Sequence, residues 1–143
     1  MYKVFVNRLS IVLTSDKNYL DHSRAFLLSS ITIKEIVKKL KVNDEIFLYH
    51  PNKKKLLKEF KKKLKTIIAA GGIVKNDENQ ILFIFRKGKW DLPKGKIEKN
   101  EKIDVGALRE VVEETGVKKI KIDRFFDTTY HIIRTQKQYF LKE

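Results

Sequence analysis

The sequence predicts a mixed α/β protein in two parts, a small α+β unit over residues 1–64 and an α/β part over residues 65–143. Three features carry this reading. Near the start, apolar and polar residues alternate at the two-residue period of half-buried strands. Further on, apolar residues recur at helical spacing at 33–40, 52–64 and 101–115. Between the apolar segments stand turn-forming sequences such as Asn76-Asp77-Glu78-Asn79. With 143 residues, 42% of them hydrophobic, the chain has material for a core.

In chain order, Tyr2, Val4 and Val6, then Leu9, Ile11 and Leu13, alternate with polar residues around Asn7-Arg8 and predict a β-hairpin. Residues 16–23 are polar and predict a loop, and the short apolar run over 24–29 is undecided in type. Thr32 with Glu35 has the pattern of a capping box, and Ile33, Ile36, Val37 and Leu40 follow at helical spacing. Residues 45–50 predict a strand stopped by Pro51. Residues 52–64 predict a second helix with Leu57, Phe60 and Leu64 on its packed face. Residues 66–75 and 80–86 predict paired strands, with Gly71-Gly72 marking a bulge or a close approach by substrate. Trp90 is read as a core or rim aromatic. Strands are predicted over 119–123, 128–134 and 138–142, the last after a turn at Thr135-Gln136-Lys137.

Composition limits the function classes. Cysteine is absent, which rules out a disulfide framework and a thiolate zinc site. The longest apolar run, residues 67–74, is too short to span a membrane, and residues 1–14 have no uninterrupted apolar core; the expectation is a cytoplasmic protein. Thirty-two Lys and Arg against eighteen Asp and Glu give a net charge of +14, which favours anionic ligands. The segment 53–65 is crowded with lysine. Such a helix can lie on RNA or an anionic membrane, but lysines opposite a packed face are more often simply solvated. His22, His50 and His131 are scattered and read as structural or surface residues.

Chemistry concentrates between Leu92 and Val117. Over 101–115, Val105, Leu108, Val111 and Val112 share one helix face, while Glu110, Glu113 and Glu114 share the opposite one. Three and four residues apart, these carboxylates are expected to converge on one point. Like charges so close repel unless a cation sits among them, and hard oxygen donors suit Mg²⁺ or Mn²⁺ carrying phosphate. Arg109, four before Glu113, is placed to hold that carboxylate. Asn100 is the expected N-cap, Glu101 and Asp104 put negative charge in the first turn, and Gly116 suits a left-handed helix end. Gly106 inside the helix implies close packing of another backbone. Gly95 lets backbone approach a ligand or metal, with Lys94 and Lys96 supplying positive charge beside it.

The same residues read Gly95, five residues, Glu101, seven residues, Arg109-Glu110-Val111, one residue, Glu113-Glu114, one residue, Gly116-Val117. Every specified position of the Nudix box is present, and the chain resembles the Nudix hydrolase superfamily. The resemblance implies an α/β/α sandwich around a mixed sheet. Only 78 residues run from Thr66 onward, so by resemblance the last strands and a further helix are expected to be missing, with one sheet face uncovered. It also implies Mg²⁺-dependent hydrolysis of a phosphoanhydride in a nucleoside diphosphate linked to another moiety. In that scheme Glu110, Glu113, Glu114 and the Gly95 carbonyl hold metal, Arg109 orients the carboxylates, and Glu101 supports them. Glu110 can serve as general base, the alternative being a loop glutamate that would lie beyond Glu143 as in some family members, and Lys94 or Lys96 contacts phosphate or eases departure of the leaving group. Tyr130-His131 resembles a pattern in the diadenosine polyphosphate and diphosphoinositol polyphosphate branches of the family. The alternatives are a non-catalytic nucleotide- or RNA-binding module, or removal of pyrophosphate from RNA 5′ ends. A small nucleotide-type substrate is favoured over a nucleic-acid partner, and no membrane partner is expected.

Overall fold

A computed structural model describes residues 1–136 and 138–143. The α/β class holds: the chain builds a seven-stranded mixed sheet, two two-stranded sheets and three α-helices among the described residues. Compactness divides it differently from the 1–64 and 65–143 parts expected from sequence. One unit comprises residues 1–67 and 128–143, the other residues 68–127.

The first unit is the seven-stranded sheet with two helices. Strands β1 (Tyr2–Val6) and β2 (Leu9–Thr14) form the expected hairpin, with Asn7 at a φ of 56° in its turn. The polar stretch after it closes into a short 3-10 helix, Lys17–Asp21, because the Asp16 carboxylate accepts from the Asn18 N–H at 3.0 Å. The undecided run becomes strand β3 (Ala25–Leu27). Helix α1 (Ile33–Leu40) starts on the full capping box: Thr32 accepts from the Glu35 N–H, and Glu35 accepts from the Thr32 N–H at 2.8 Å. Strand β4 (Glu45–Tyr49) follows, then helix α2 (Leu56–Lys61), then β5 (Lys65–Ile67). Near the other end of the sequence, β10 (Tyr130–Thr135) and β11 (Gln138–Lys142) pair antiparallel. The turn residue Lys137 lies outside the described residues.

Sheet order is β3-β4-β2-β1-β10-β11-β5, and β1 pairs in parallel with β10, with Val4 opposite Tyr130. Val4, Ile11 and Ile46 line up across neighbouring strands, and α1 and α2 bury Ile36, Leu40, Leu56 and Phe60 against that face. Helix α2 is shorter than expected; Phe60 is buried and Leu57 and Leu64 pack partly buried against the core as expected, and Leu56 is buried as well. The Asn52 side chain accepts from the Lys54 and Lys55 N–H groups in a turn instead of starting a helix there, and no side chain caps the helix itself. On the opposite face His22 stacks on Phe47, and His131 on Phe5, in keeping with structural roles.

The second unit holds β6 (Ala69–Gly71), β7 (Ile84–Arg86), β8 (Lys89–Asp91), β9 (Lys94–Lys96) and helix α3 (Ile103–Thr115). The strand pairing expected between 66–75 and 80–86 reduces to a bridge at Lys75 and Ile81. Instead β6 pairs with β9, and β7 pairs with β8 through a turn at Lys87 and Gly88, both at positive φ. Trp90 is not in the core: it is 71% exposed and lies 5.1 Å from Phe85, its partner across the hairpin. No strand forms over 119–123.

Candidate active site

Helix α3 carries the site, and β9 sets what faces it. The helix begins at Ile103, with Lys102 as an N-cap that makes no side-chain cap bond, so the expected cap at Asn100 is not realised. Asn100 has a φ of 67°, and Glu101 stays outside the helix because Arg109 and the Glu98 N–H hold its carboxylate. At the other end Gly116 takes the left-handed conformation, φ 74°, and its N–H closes on the Val112 carbonyl, as expected of a glycine there. The apolar face is only partly covered: Val111 is buried, whereas Val105 is 52% exposed.

Arg109 is the hub. Its Nε and Nη2 donate to the two oxygens of Glu101 at 2.8 and 2.9 Å. Its Nη1 donates to Glu110 Oε1 at 2.8 Å and to Glu113 Oε2 at 3.1 Å, and Nη2 also reaches the Lys96 carbonyl at 3.2 Å. One planar cation thus ties three box carboxylates to β9. The Glu113 contact follows from its four-residue spacing; the ties to Glu101 and Glu110 do not.

Two glycines explain how close the elements come. A Cβ on Gly95 would lie 1.8 Å from Glu110 Oε2, so only glycine lets that carboxylate rest against the strand. The space at Gly106 is taken by side chains, Ile97 Cδ1 at 2.4 Å and Glu101 Oε2 at 2.8 Å from its would-be Cβ, rather than by another backbone. Likewise the close approach at Gly71 comes from Pro93 and Lys94, not from a substrate-sized opening.

Glu114 belongs to a second network. Its Oε2 accepts from the Lys94 N–H at 2.9 Å and its Oε1 from Arg86 Nη1 at 2.6 Å. Arg86 also lies 3.9 Å from Asp91, and Asp91 binds the Lys94 ammonium. Partial burial pushes the Asp91 carboxyl up, but Lys94, the Leu92 N–H and Arg86 together outweigh it and leave it below its ordinary value. Sequence reasoning missed Arg86 and Asp91. Their only local signal is a cation and an acid flanking the Lys87-Gly88 turn.

The three carboxylates expected to converge are therefore shared between two arginines. Among the described residues, no three His, Cys, Asp or Glu side chains form a ready ligand group. The repulsion that sequence reasoning assigned to an ion is met by guanidinium charge. The donor set nevertheless fits a hard divalent ion: three carboxylates spaced i, i+3, i+4 on one helix, one of them pressed against the Gly95 backbone. Glu113 is the accessible member, its side chain 58% exposed against 14% for Glu110. Lys94 is engaged with Asp91, while the Lys96 side chain is exposed and has no carboxylate partner among the described residues.

Arg109, followed by the Glu98 N–H, lowers the Glu101 carboxyl to a pKa of about 2 from an ordinary 4.5. Stabilisation from this group is complete above the ordinary value and is lost as the pH falls toward 2. We therefore expect the melting temperature to drop across that window, and to drop less steeply in E101Q. Parallel pH profiles of the two proteins would contradict the pairing.

Comparison with known proteins gives the same assignment. A family model described as NUDIX domain matches residues 65–141. The chain is 42% identical over 57 residues to Nudix hydrolase 8 of Arabidopsis thaliana, covering 35% of this chain and 15% of that protein. It is 46% identical over 46 residues to a Bacillus subtilis protein named as a candidate 8-oxo-dGTP diphosphatase, 31% of each. It is 36% identical over 58 residues to a MutT-like protein of Streptomyces ambofaciens, 39% of this chain and 37% of that protein. The matches thus span well under half the length of these relatives. No solved structure matches the chain, and no helix among the described residues is long and apolar enough to cross a membrane. With more than half of its length matched and every box position filled around Arg109, the chain belongs to the Nudix family.

Proposed function

We propose that this protein hydrolyses a phosphoanhydride bond in a nucleoside diphosphate linked to another moiety, using Mg²⁺ or Mn²⁺ held by Glu110, Glu113, Glu114 and the Gly95 carbonyl. The catalytic part is residues 65–143, with residues 1–64 an accessory segment. The observation that supports this most directly is the Arg109 hub, which holds Glu101, Glu110 and Glu113 together beside the Gly95 strand. A bound divalent ion supplies charge neutralisation at the pyrophosphate and a more acidic water.

The chain's own residues do the rest. Arg109 fixes the rotamers of Glu110 and Glu113, and Glu101 fixes Arg109 in turn. Glu110 Oε1 is taken by Arg109, which leaves Oε2 either to hold the ion or, with the ion on Glu113 and Glu114, to receive a proton from water. Arg86 and the Lys94 N–H orient Glu114. Lys96, exposed and unpaired with acid among the described residues, is the cation for a substrate phosphate, ahead of Lys94.

The test is a Mg²⁺-dependent phosphate-release screen over nucleoside triphosphates including 8-oxo-dGTP, ADP-ribose, dinucleoside polyphosphates, diphosphoinositol polyphosphates and capped RNA. At least one class should be cleaved, and E113Q or E114Q should lose roughly tenfold or more in turnover. Equal turnover by E113Q, E114Q and wild type would refute the assignment. Nucleotide binding without release would support the binding-module alternative.

A further inference from the structure

The positive charge is unevenly distributed. Residues 1–67 and 128–143 hold 19 Lys and Arg against 7 Asp and Glu, whereas residues 68–127, which carry the carboxylate site, hold 13 against 11. The excess belongs to the unit with no catalytic candidate, so a charged substrate at the box does not account for it.

Within that unit the lysines are ordered. Lys34, Lys38 and Lys41 stand at i, i+4 and i+7 along α1 and its C-cap, and Lys54, Lys58 and Lys61 repeat that spacing through the turn into α2. Successive members of each stripe are about 5–6 Å apart along a helix axis. Each stripe borders a shallow depression. One, of about 560 Å³, is lined by the α2 lysines with Tyr2 and Leu57; the other, of about 600 Å³, by the α1 lysines with Arg134, Tyr139 and apolar residues of the sheet. Lys34, Lys38, Lys41, Lys54 and Lys58 have no carboxylate partner among the described residues. Lys61 and Lys62 pair with Glu143 and Glu59, which leaves Lys54 and Lys58 as the uncompensated cations of the α2 depression. Such cations bordering concavities with an aromatic ring at the edge are the arrangement that tracks a phosphate backbone and stacks a base.

A lipid surface fits less well. Membrane-lying helices insert an apolar face, and here the apolar residues of α1 and α2, Ile36, Leu40, Leu56 and Phe60, are buried at 0–2% exposure against the sheet.

We propose that the lysine-covered layer formed by α1 and α2 is a docking surface for the phosphate backbone of single-stranded nucleic acid. The proposal does not rest on the hydrolase reading, since the surface holds none of the box residues. Affinity comes from counterion release and is weakly selective for sequence.

The experiment is fluorescence anisotropy of a labelled oligouridylate about twelve nucleotides long, titrated with the protein between roughly 50 and 200 mM salt. Two variants probe the surface, K34Q/K38Q/K41Q and K54Q/K58Q; a third, K118Q/K119Q/K121Q, removes three charges from exposed positions in the other unit. Each lysine–phosphate contact contributes about 0.7 to the salt slope on a single strand, so the α1 triple variant should bind roughly tenfold or more weakly with a slope lower by about 2. The K118Q/K119Q/K121Q protein should bind as wild type. Equal weakening in the α1 and control triples would mean a diffuse field and would overturn the proposal. So would an absence of binding, or binding to phosphatidylserine vesicles at least as tight as to the oligonucleotide. Circular dichroism of both surface variants verifies that the fold is kept, as expected for exposed lysines without partners.

Discussion

Arg109→Ala should lower Mg²⁺-dependent turnover by roughly a hundredfold. The expectation follows from the number of groups that depend on this side chain. Glu101, Glu110 and Glu113 all accept from it, and the Lys96 carbonyl ties the same guanidinium to β9. Alanine leaves three negative charges on one surface without their shared partner, and each is then free to leave the rotamer Arg109 held, Glu110 its place against Gly95. Arg109→Lys should recover little, since an ammonium cannot bridge Glu101 through two parallel bonds while also reaching Glu110. Steady-state kinetics on the substrate found by the screen decide it. An R109A protein with a kcat within a few-fold of wild type would show that the hub is dispensable.

Gly95→Ala and Gly71→Ala should fail in different ways. At Gly95 the new methyl would sit 1.8 Å from Glu110 Oε2, the tip of a side chain that can swing aside. The fold should survive while Glu110 leaves both the strand and Arg109, and turnover should fall by roughly two orders of magnitude. At Gly71 the methyl would meet the Pro93 carbonyl oxygen at 2.0 Å and the Lys94 backbone at 2.6 Å, and main chain cannot step aside. The pairing of β6 with β9 should open at a cost of about 1–3 kcal/mol. Thermal melts and kinetics on both variants separate the cases. A destabilised G95A with unchanged kinetics in its folded fraction would reverse the roles assigned to the two positions.

What the sequence disclosed was mostly what local spacing controls. The Thr32–Glu35 cap, the Asn7 hairpin, the Gly116 helix end and the placement of Glu110, Glu113 and Glu114 on one helix all depend on residues within a turn or two of each other. Where a distant partner decides, local reading went astray. Asn100 lost its expected capping role because Glu101 is drawn to Arg109, eight residues on. Arg86 ends an apolar strand with only Asp91 across the turn to mark it, and its partner Glu114 is 28 residues away. For Trp90 the sequence leaves core and rim both open, and the choice falls to its cross-strand contact with Phe85, which keeps it on an exposed hairpin. Remote pairing also shapes the sheet: β1 finds its second neighbour in β10, more than 120 residues later.

That last pairing bears on how the chain acquires its structure during synthesis. Val4 and Phe5 leave the ribosome well before their partner, since the strand that hydrogen-bonds to their outer side is translated only after the sixty residues of the second unit. Until Tyr130 emerges, β1 presents an unsatisfied row of amides, a template for wrong partners as well as the right one. Assembly that joins such remote segments is slow compared with closing a hairpin, so the nascent protein should lean on chaperones most heavily in that interval.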